Sequence, residues 1–291
     1  MCKDKVNIAI NRLKTASEMS LEYYQKPLMI AYSGGKDSDC LLQLAIMSDI
    51  PLEIVHSHTT ADAPETVRYV RQRFYDLECK GYTVKINYPY YKGKRSSMWD
   101  LIIQKGIPPT RLIRYCCAVL KETSGANRHI ATGVRWSESN KRKTGRGIYE
   151  DINRDKNAKI VLNNDNDDKR KLFERCQMQA KTVTNPIIDW LENDVIDFNR
   201  EYTKSCNPLY DCGFRRVGCI GCPMAGKSRY KEFARYPKYK QLYINAFSKM
   251  LDKQQADGKT NKWSNGNEVF KWWMGEDPNQ LNFFENEFKE I

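Results

Sequence analysis

The hydrophobic positions in the first half of the chain form short apolar runs separated by amphipathic stretches. Residues 6–25 carry apolar side chains at helical spacing, and similar patterns recur over 37–47 and 64–77. The apolar runs have the length of buried strands and end at glycine or polar residues. They cover 27–32, 52–56, 83–86 and 129–134. Strands that alternate with helices predict an α/β fold with a mostly parallel, doubly wound sheet.

This alternation weakens in the second half of the chain. We expect a basic and polar surface insertion over about 137–181, because a long stretch without clear periodicity usually runs over the surface. Helical spacing returns over 189–202, before a segment rich in Cys, Gly and Pro. The expected organisation is an N-terminal helix (1–26), a strand-and-helix domain (27–204) and a cysteine-rich, helical C-terminal region (205–291).

The composition of the 291 residues indicates a folded protein with an anionic partner. Hydrophobic residues make up 41%, enough for a packed core, and 48 Lys and Arg against 36 Asp and Glu give a net charge of +12. Such a charge favours a nucleotide, a nucleic acid or a membrane surface. No apolar run approaches the roughly 20 residues of a membrane span, and the polar N-terminus lacks the apolar core of a secretory signal. We therefore expect a cytoplasmic protein with no membrane partner.

A glycine-rich turn between the first apolar run and the following helix is the clearest candidate for chemistry. Its sequence is Ser33-Gly34-Gly35-Lys36-Asp37-Ser38. Two glycines let the backbone approach an anion, and the helix N-terminus presents free N–H groups to it. Lys36 adds a charge, Ser33 and Ser38 add hydroxyl donors, and Asp37 suits Mg²⁺ coordination. The turn is therefore predicted to bind phosphate, and an ordinary turn before a helix is the alternative.

A second segment fits a phosphate-binding pattern only formally. Residues 221–228 match G-x-x-x-x-G-K-S, with Lys227 as the lysine of that motif. The motif requires a buried strand before it, whereas residues 213–218 are polar and rich in glycine. We therefore expect no phosphate site here.

Ten cysteines in a chain expected in a reducing compartment indicate metal ligands or catalytic thiols before disulfides. Cys219 and Cys222 form a C-x-x-C, whose two sulfurs can face one metal centre. Cys206 and Cys212 lie just upstream, and Cys116 and Cys117 form an adjacent pair much earlier. The candidates are an iron–sulfur cluster, a structural zinc, a redox-active dithiol and buried cysteines without metal.

Taken in order, these motifs resemble those of the PP-loop ATP pyrophosphatases, and in particular their phosphoadenosine phosphosulfate reductase branch. The resemblance covers about 25–225. Besides the glycine turn, it rests on Thr60-Ala61-Asp62-Ala63-Pro64-Glu65-Thr66, Arg114-Tyr115-Cys116-Cys117 with Lys121, Gly133-Val134-Arg135 with Glu138-Ser139, and 186–190 before Asp194-Val195. It implies that residues 33–38 bind the phosphates and metal of a nucleotide, and that Gly133 and Arg135 lie near it.

The resemblance implies two different sets of metal ligands. Cys116 and Cys117 with Cys219 and Cys222 are similar to the cysteine quartet of the iron–sulfur adenylylsulfate reductases. Cys206 and Cys212 with the same C-x-x-C instead resemble the cluster region of the DndC ATP pyrophosphatases of DNA phosphorothioation. Sulfonucleotide reductases also attack sulfur with a cysteine near the C-terminus, and this sequence has none after Cys222. Reductase activity is therefore not expected.

Two further groups of side chains bear on the partner. Cations alternate with aromatic rings over 227–240, where lysines and arginines could neutralise phosphates and rings could stack on bases, unless this is only a solvated helix face. A second basic patch occupies 141–143. His56, His58 and His129 lie in or beside strands, where a core or loop role is expected.

Together these features predict an enzyme that cleaves ATP between the α and β phosphates. An acceptor, with DNA or RNA as a candidate, would be adenylylated and opened to sulfur from a donor protein. The expected cofactors are ATP, Mg²⁺ and a 4Fe-4S cluster, with zinc as the alternative metal. The alternatives are a sulfonucleotide reductase and a catalytically inactive module that binds nucleic acid or has a regulatory role.

Overall fold

The computed structural model describes residues 3–121, 125–152, 160–163 and 181–276. The chain forms two compact units. The first unit comprises Met1–His58, Asp62–Asn87 and Glu122–Gly218, and the second comprises Thr59–Ala61, Tyr88–Lys121 and Cys219–Ile291.

The strands and helices follow the predicted alternation through the first half of the chain. The strands are β1 Leu28–Ala31, β2 Leu52–Ser57, β3 Thr83–Asn87, β4 Tyr90–Tyr91, β5 Lys94–Arg95, β6 His129–Ala131, β7 Tyr149–Ile152, β8 Ile160–Leu162 and β9 Lys181–Thr184. The helices are α1 Lys3–Tyr24, α2 Lys36–Met47, α3 Pro64–Glu78, α4 Met98–Lys105, α5 Tyr115–Leu120, α6 Asn140–Gly145, α7 Glu192–Phe198, α8 Ser228–Arg235, α9 Pro237–Ala256 and α10 Gly266–Met274.

Seven strands form the sheet of the first unit, in the order β3-β2-β1-β6-β9-β7-β8. The first five are parallel, with Ile30 of β1 paired with Ile54 of β2 on one side and with Ala131 of β6 on the other. The chain builds outward from β1 to β3 and then returns to the opposite side of β1. The predicted α/β fold with a mostly parallel sheet is confirmed. In such sheets ligands bind beyond the carboxyl ends of the strands, where the order reverses.

Alternate residues of β1 enter different packing clusters, as the strand period of two requires. Leu28 and Ile30 join a large core with Leu13 of α1, Leu41 of α2 and Phe74 of α3. Met29 turns to the other face of the sheet, where it packs with Val55 and Ile130. Each fully buried aliphatic side chain contributes about 1.5–3 kcal/mol to folding. This core fixes the end of β1 relative to the start of α2, and so positions the turn between them.

The stretch expected to be a surface insertion instead extends the sheet. Strand β7 pairs antiparallel with β9 and with β8. Its Glu150 is fully buried, although the polar pattern predicted exposure. The carboxylate accepts hydrogen bonds from Arg146 at 2.7 Å, from the Gly147 amide at 3.2 Å and from Asn185 at 2.8 Å. These hydrogen bonds stabilise the buried carboxylate, whose burial cannot be predicted from hydrophobic periodicity. Residues 153–159 and 164–180 of the expected insertion lie outside the described residues.

The second unit is built around aromatic side chains of its three C-terminal helices. Phe233 of α8, Tyr243 and Phe247 of α9, and Phe270 and Trp273 of α10 form a network of ring contacts. Side chains of α9 and α10 donate hydrogen bonds to backbone carbonyls of the earlier segment of this unit, Tyr88–Lys121. Trp273 Nε1 donates to the Pro109 carbonyl at 2.6 Å, and Gln254 Nε2 donates to that of Gly106 at 2.8 Å. None of the helices in the described part of the chain is both long and apolar enough to span a membrane.

Candidate functional site

The predicted phosphate-binding turn lies between β1 and α2, where the sheet order reverses. Gly34 has φ +74°, a left-handed conformation that favours glycine. A Cβ on Gly34 would lie 2.8 Å from Val70 Cγ2 of α3, so no larger residue fits without displacement. The side chain of Asn207 donates to the Gly34 carbonyl at 2.9 Å. The turn is therefore held in one conformation by the helix beside it and by a distant segment of the same unit.

Two amides of this turn already donate to hydroxyl oxygens. The Gly35 amide donates to Ser38 Oγ at 3.1 Å, and the Lys36 amide donates to the Tyr210 hydroxyl at 2.9 Å. Both lie at the N-terminus of α2, where backbone N–H groups and the helix dipole favour an anion. Ser33 Oγ donates to Ser38 Oγ at 3.2 Å, so the two predicted serines lie together. The turn thus presents N–H and hydroxyl donors to oxygen acceptors of the kind that a phosphate supplies.

The charged residues of the turn are paired with residues from later in the sequence. Lys36 Nζ forms an ion pair with Glu192 at the start of α7, and its hydrogen bond lowers the pKa of that carboxyl. Arg135 is buried, and its Nε donates to Asp37 Oδ1 at 2.6 Å. A Cβ on Gly133 would lie 2.8 Å from the backbone oxygen of Asp37. Gly133 and Arg135 are thereby brought against the turn.

The residues that hold the turn were not found by sequence reasoning. Asn199, Asn207 and Tyr210 all donate to or accept from its backbone, and they lie 163 to 174 residues from their partners. No spacing or periodicity marks them, because the contacts arise only when the chain returns to the turn after β9. The sequence offers only their position, since Asn199 lies just before the cysteine-rich region and Asn207 and Tyr210 lie at its start.

The carboxylates at the turn fit a magnesium ion that is bound mainly through phosphates. Mg²⁺ in nucleotide sites usually takes one or two protein carboxylates and keeps its remaining ligands as phosphates and water. Asp37 supplies one such carboxylate, with one oxygen already held by Arg135. Asp39 is a poorer ligand, since it is fully buried and accepts a hydrogen bond from the Tyr32 hydroxyl at 2.6 Å. Burial raises the pKa of Asp39 to about 7.

The C-x-x-C loop of the second unit is fixed by its backbone. The Ile220 amide donates to the Ala61 carbonyl at 2.8 Å, and the Ile220 carbonyl accepts from the Tyr243 hydroxyl at 2.9 Å. The Gly221 amide donates to Glu232 at 2.7 Å. Cys219 itself is buried, with its thiol 3.3 Å from Thr59 Oγ1. These bonds fix the backbone on both sides of the loop that carries the two cysteines.

The early cysteine pair belongs to the same unit as this loop. Cys116 and Cys117 lie on α5, and the charge of Cys116 interacts with those of Cys219 and Cys222. A hydrogen bond from Cys116, reinforced by Arg114 at 3.3 Å from the sulfur, lowers the pKa of Cys117 to about 5. The same hydrogen bond, together with burial, raises the pKa of Cys116. A lowered pKa favours the thiolate of Cys117, which is the form that binds metal.

The alternative pair, Cys206 and Cys212, belongs to the first unit and is exposed. Burial, followed by the charges of Asp211 and Asp39, raises the pKa of Cys206. Their environment thus differs from that of Cys117, since carboxylates rather than an arginine lie nearby.

The alternating cations and rings over 227–240 divide between surface and core. Phe233 is buried, and Arg229 stacks on Trp273 with 5.1 Å between the guanidinium and the ring centroid, while it also donates to the Trp273 carbonyl at 2.9 Å. Phe233 is thus a core residue, and Arg229 has a structural role. The cations and rings of this segment that are exposed are Lys227, Tyr230, Lys231, Arg235, Lys238 and Lys240.

The rival phosphate motif at 221–228 lacks the strand that it requires. The residues before it form turns and a single bridge, and Pro223–Ala225 form a short 3₁₀ helix inside the motif. The expectation that this segment is not a phosphate site agrees with this geometry.

Curated relatives align with most of this chain. The uncharacterized protein MJ0973 of Methanocaldococcus jannaschii is 28% identical over 261 residues, which cover 87% of this chain and 49% of that protein. The uncharacterized protein MJ0066 of the same organism is 26% identical, with 80% and 44% covered. An uncharacterized 37.8 kDa protein of Escherichia phage 186 is 24% identical, with 72% and 71% covered. The chain thus spans about half the length of the two archaeal relatives.

Solved structures with a partly similar fold come from enzymes of nucleotide and sulfur chemistry. The U34-tRNA thiolase NcsA from Methanococcus maripaludis, solved with its 4Fe-4S cluster, has a TM-score of 0.44 at 14% identity and covers 91% of this chain and 84% of its own. Phosphoadenylyl-sulfate reductase from Candida auris has a TM-score of 0.43 at 15% identity, with 72% and 87% covered. These scores are too low to assign a function to this chain.

The match to a family model is the more decisive comparison. The model of the phosphoadenosine phosphosulfate reductase domain matches residues 27–225. That range begins at β1 and includes the phosphate-binding turn, Gly133, Arg135 and all six candidate metal-binding cysteines. It covers more than half of the chain, and it agrees with the resemblance that the motifs carry. The chain therefore belongs to the phosphoadenosine phosphosulfate reductase domain family of PP-loop proteins.

Proposed function

We propose that this protein binds ATP at the turn between β1 and α2 and cleaves it between the α and β phosphates, adenylylating an acceptor. The observation that carries the proposal is the turn itself. Two of its amides, the hydroxyls of Ser33 and Ser38, and Lys36 converge at the start of α2. Their charge and donor chemistry suit a pyrophosphate group.

In this reaction an acceptor oxygen attacks the α-phosphorus while the bond to the bridging oxygen breaks. The electron pair leaves with pyrophosphate, so negative charge develops on the group held at the turn. Lys36 and the loop amides stabilise that charge, which is the larger part of what the protein can contribute. Mg²⁺ bound through Asp37 and the phosphates would neutralise further charge there.

Pyrophosphate release is the measurement that tests the proposal. Protein given ATP and Mg²⁺ should release AMP and pyrophosphate, and Lys36→Ala should lower turnover about tenfold or more because it removes a charge that stabilises the leaving group. Lys80→Ala is the matched control, since it removes an exposed lysine that lies outside the turn and should leave turnover unchanged.

Three outcomes would contradict this reaction. Release of ADP and inorganic phosphate would favour cleavage at the γ-phosphate. Sulfite formed from adenylyl or phosphoadenylyl sulfate, with thioredoxin as reductant, would favour the sulfonucleotide reductase instead. Binding of nucleotide without turnover, with every candidate acceptor supplied, would favour a catalytically inactive regulatory module.

For the second unit we propose a 4Fe-4S cluster held by Cys116, Cys117, Cys219 and Cys222, which would handle the sulfur delivered to the activated acceptor by a donor protein. Two observations support this quartet over the one with Cys206 and Cys212. All four cysteines belong to one unit, and their charges interact. Arg114 also stabilises a thiolate at Cys117.

An iron–sulfur cluster suits this quartet better than a zinc ion. A single zinc ion draws four sulfurs onto one centre, whereas a four-iron cluster gives each thiolate its own iron and spaces the sulfurs more widely. Among the described residues, no three cysteine sulfurs lie within 4.8 Å of one another, as four thiolates on a single zinc ion would. This supports the choice of a cluster over zinc in the proposal.

Serine substitutions can identify the ligands. Protein prepared without oxygen should be brown and contain iron and sulfide, and serine at any of Cys116, Cys117, Cys219 or Cys222 should abolish or strongly bleach the colour. Cys206→Ser and Cys212→Ser are the controls and should keep it. One zinc per chain without iron would overturn the cluster, and bleaching by the two control variants would favour the alternative quartet.

The acceptor that we propose is a nucleic acid. The net charge of +12 and the exposed lysines around α8 and α9 support this choice, because phosphates are the ligands that such a surface attracts. Phe233 is buried and cannot stack on bases, whereas Tyr230 is exposed and could do so.

A further inference from the structure

Two histidines and an aspartate lie together at the end of β2, in the first unit. His56 is the fifth residue of the strand, His58 follows its last residue, and Asp62 comes shortly before α3. One ligand atom from each of the three lies within 4.8 Å of the other two. Within the described segments, this is the one group of three or more His, Cys, Asp or Glu side chains that is close enough to hold a single metal ion. We propose that His56, His58 and Asp62 bind a divalent transition metal ion.

The backbone explains why the two imidazoles converge. Residues two apart in a strand point to the same face of the sheet. His56 and His58 therefore share a face, and their ring centroids are 6.4 Å apart. Asp62 is buried, and its carboxylate oxygen lies 3.4 Å from His58 Nδ1. The three side chains thus come from a segment of seven residues and need no long-range movement to meet.

His56 is held in the orientation that a metal ligand requires. Its Nδ1 lies 2.9 Å from the carbonyl oxygen of Tyr32. A carbonyl only accepts, so Nδ1 carries the proton, and in the neutral ring the lone pair is on Nε2. Histidines that bind metals usually donate their other ring N–H to a carbonyl or carboxylate in this way, which fixes the tautomer.

The distances suit an ion bound to nitrogen and oxygen. Ligand atoms about 2.1 Å from a tetrahedral zinc lie about 3.4 Å from one another. The distance between His58 Nδ1 and the Asp62 carboxylate oxygen already has this value, and all three ligand atoms lie within 4.8 Å of one another. Two imidazoles and one carboxylate select zinc, iron, cobalt or nickel over magnesium and calcium, which prefer oxygen alone.

The ligand number and the location indicate a functional rather than a structural ion. Three protein ligands leave at least one coordination position for water or substrate, whereas structural zinc sites have four. The group lies at the carboxyl end of β2, next to β1 in the sheet. Tyr32, which accepts from His56, directly precedes Ser33 of the phosphate-binding turn. The ion would therefore bind at the edge of the sheet where ligands of this fold bind.

Zinc binding by variants of the whole chain tests the site. In equilibrium dialysis of chelator-treated protein, the wild type should bind one more equivalent of zinc than His58→Ala or Asp62→Asn. If the variants still bind this zinc, their affinity for it should be at least about tenfold lower. Asp76→Asn is the matched control, because it neutralises a carboxylate on α3 that accepts a hydrogen bond from Gln72 of the same helix. Metal held by cysteines is the same in all four proteins, so the difference reports on this group alone.

A second readout identifies the ligands. Co²⁺ in the wild-type site should give weak ligand-field absorption that both variants lose, without the intense charge-transfer bands that thiolates produce. If folded His58→Ala and Asp62→Asn bind as much zinc as the wild type and Asp76→Asn, the group is an ion pair only and the proposal is overturned. Should a variant not fold, X-ray absorption of the wild type decides. One zinc with two imidazole ligands is expected, and coordination of all bound zinc by sulfur overturns the proposal.

Discussion

His129 is a fully buried histidine on β6, and its ring nitrogens lie 2.7 Å from Thr184 Oγ1 and 3.0 Å from Thr182 Oγ1. Burial lowers its pKa to about 3, from an ordinary value near 6.5. The unfolded chain therefore binds one more proton than the folded protein between these two values. Stability contributed by the neutral ring is complete above pH 6.5 and is lost as the pH falls toward 3, by at most about 1.4 kcal/mol per pH unit.

A single substitution isolates this effect. His129→Gln keeps a polar side chain beside the two threonines but cannot take up the proton. Urea denaturation at pH 7, 6 and 5 should show the free energy of unfolding of the wild type falling more steeply than that of the variant. Parallel pH profiles would mean that His129 titrates normally in the folded protein.

The C-x-x-C loop depends on a glycine that sequence reasoning did not single out. Gly221 has φ +73°, and an added Cβ would lie 2.5 Å from Phe233 Cζ and 3.0 Å from a Tyr243 ring carbon. Gly221→Ala should lower the free energy of unfolding by about 1–2 kcal/mol through backbone strain and by about 1–3 kcal/mol more through overpacking.

The variant Gly258→Ala separates the cost of backbone strain from the cost of overpacking. Gly258 has a similar φ of +71°, but nothing lies within 4 Å of its added Cβ, so only the strain should remain. Thermal or urea denaturation of both variants measures the difference. Equal losses in free energy of unfolding would show that the aromatic core beside the cysteine loop accommodates the extra methyl group without a cost from overpacking.

Individual elements of the first unit were predictable where burial and periodicity coincide. Strands β1 and β2 are mostly buried and lie between helices of clear amphipathic spacing. The predicted bounds of α2 and α3 differ from the observed ones by one residue at most. Strand β7 was missed because its Glu150 and Asp151 are charged but buried, which only the contacts of the folded chain can explain. A core or loop role was predicted for His56 and His58 individually, so the H-x-H spacing before Asp62 was not identified as a metal-ligand pattern.

At the scale of the whole molecule, the net charge predicts binding to nucleic acid that weakens with salt. Each phosphate contact should contribute about 0.7 to the slope of log affinity against log salt for a single strand. Lys231→Glu combined with Lys238→Glu should reduce affinity and slope, because both lysines are exposed. Gel-shift or anisotropy titrations between 50 and about 500 mM salt would measure this.

The control for this prediction is a change of equal charge elsewhere. Lys14→Glu with Lys80→Glu reverses two exposed lysines of the first unit and should have a smaller effect on affinity. ATP binding should be unaffected in both double variants. Equal losses would indicate attraction by the net charge alone, without a defined surface around α8 and α9.

The discontinuous second unit has a consequence for biosynthesis. Its segment Tyr88–Lys121 leaves the ribosome well before its partners, since the bond from Trp273 to the Pro109 carbonyl joins residues 164 positions apart. Until α9 and α10 have been translated, apolar residues of α4 such as Leu101 and Ile102 have no aromatic core to enter. The nascent chain thus exposes an apolar, aggregation-prone surface for many seconds at ordinary rates of synthesis. Fragments that end near Gly218 will keep that surface exposed and aggregate, so expression trials should use the chain through α10.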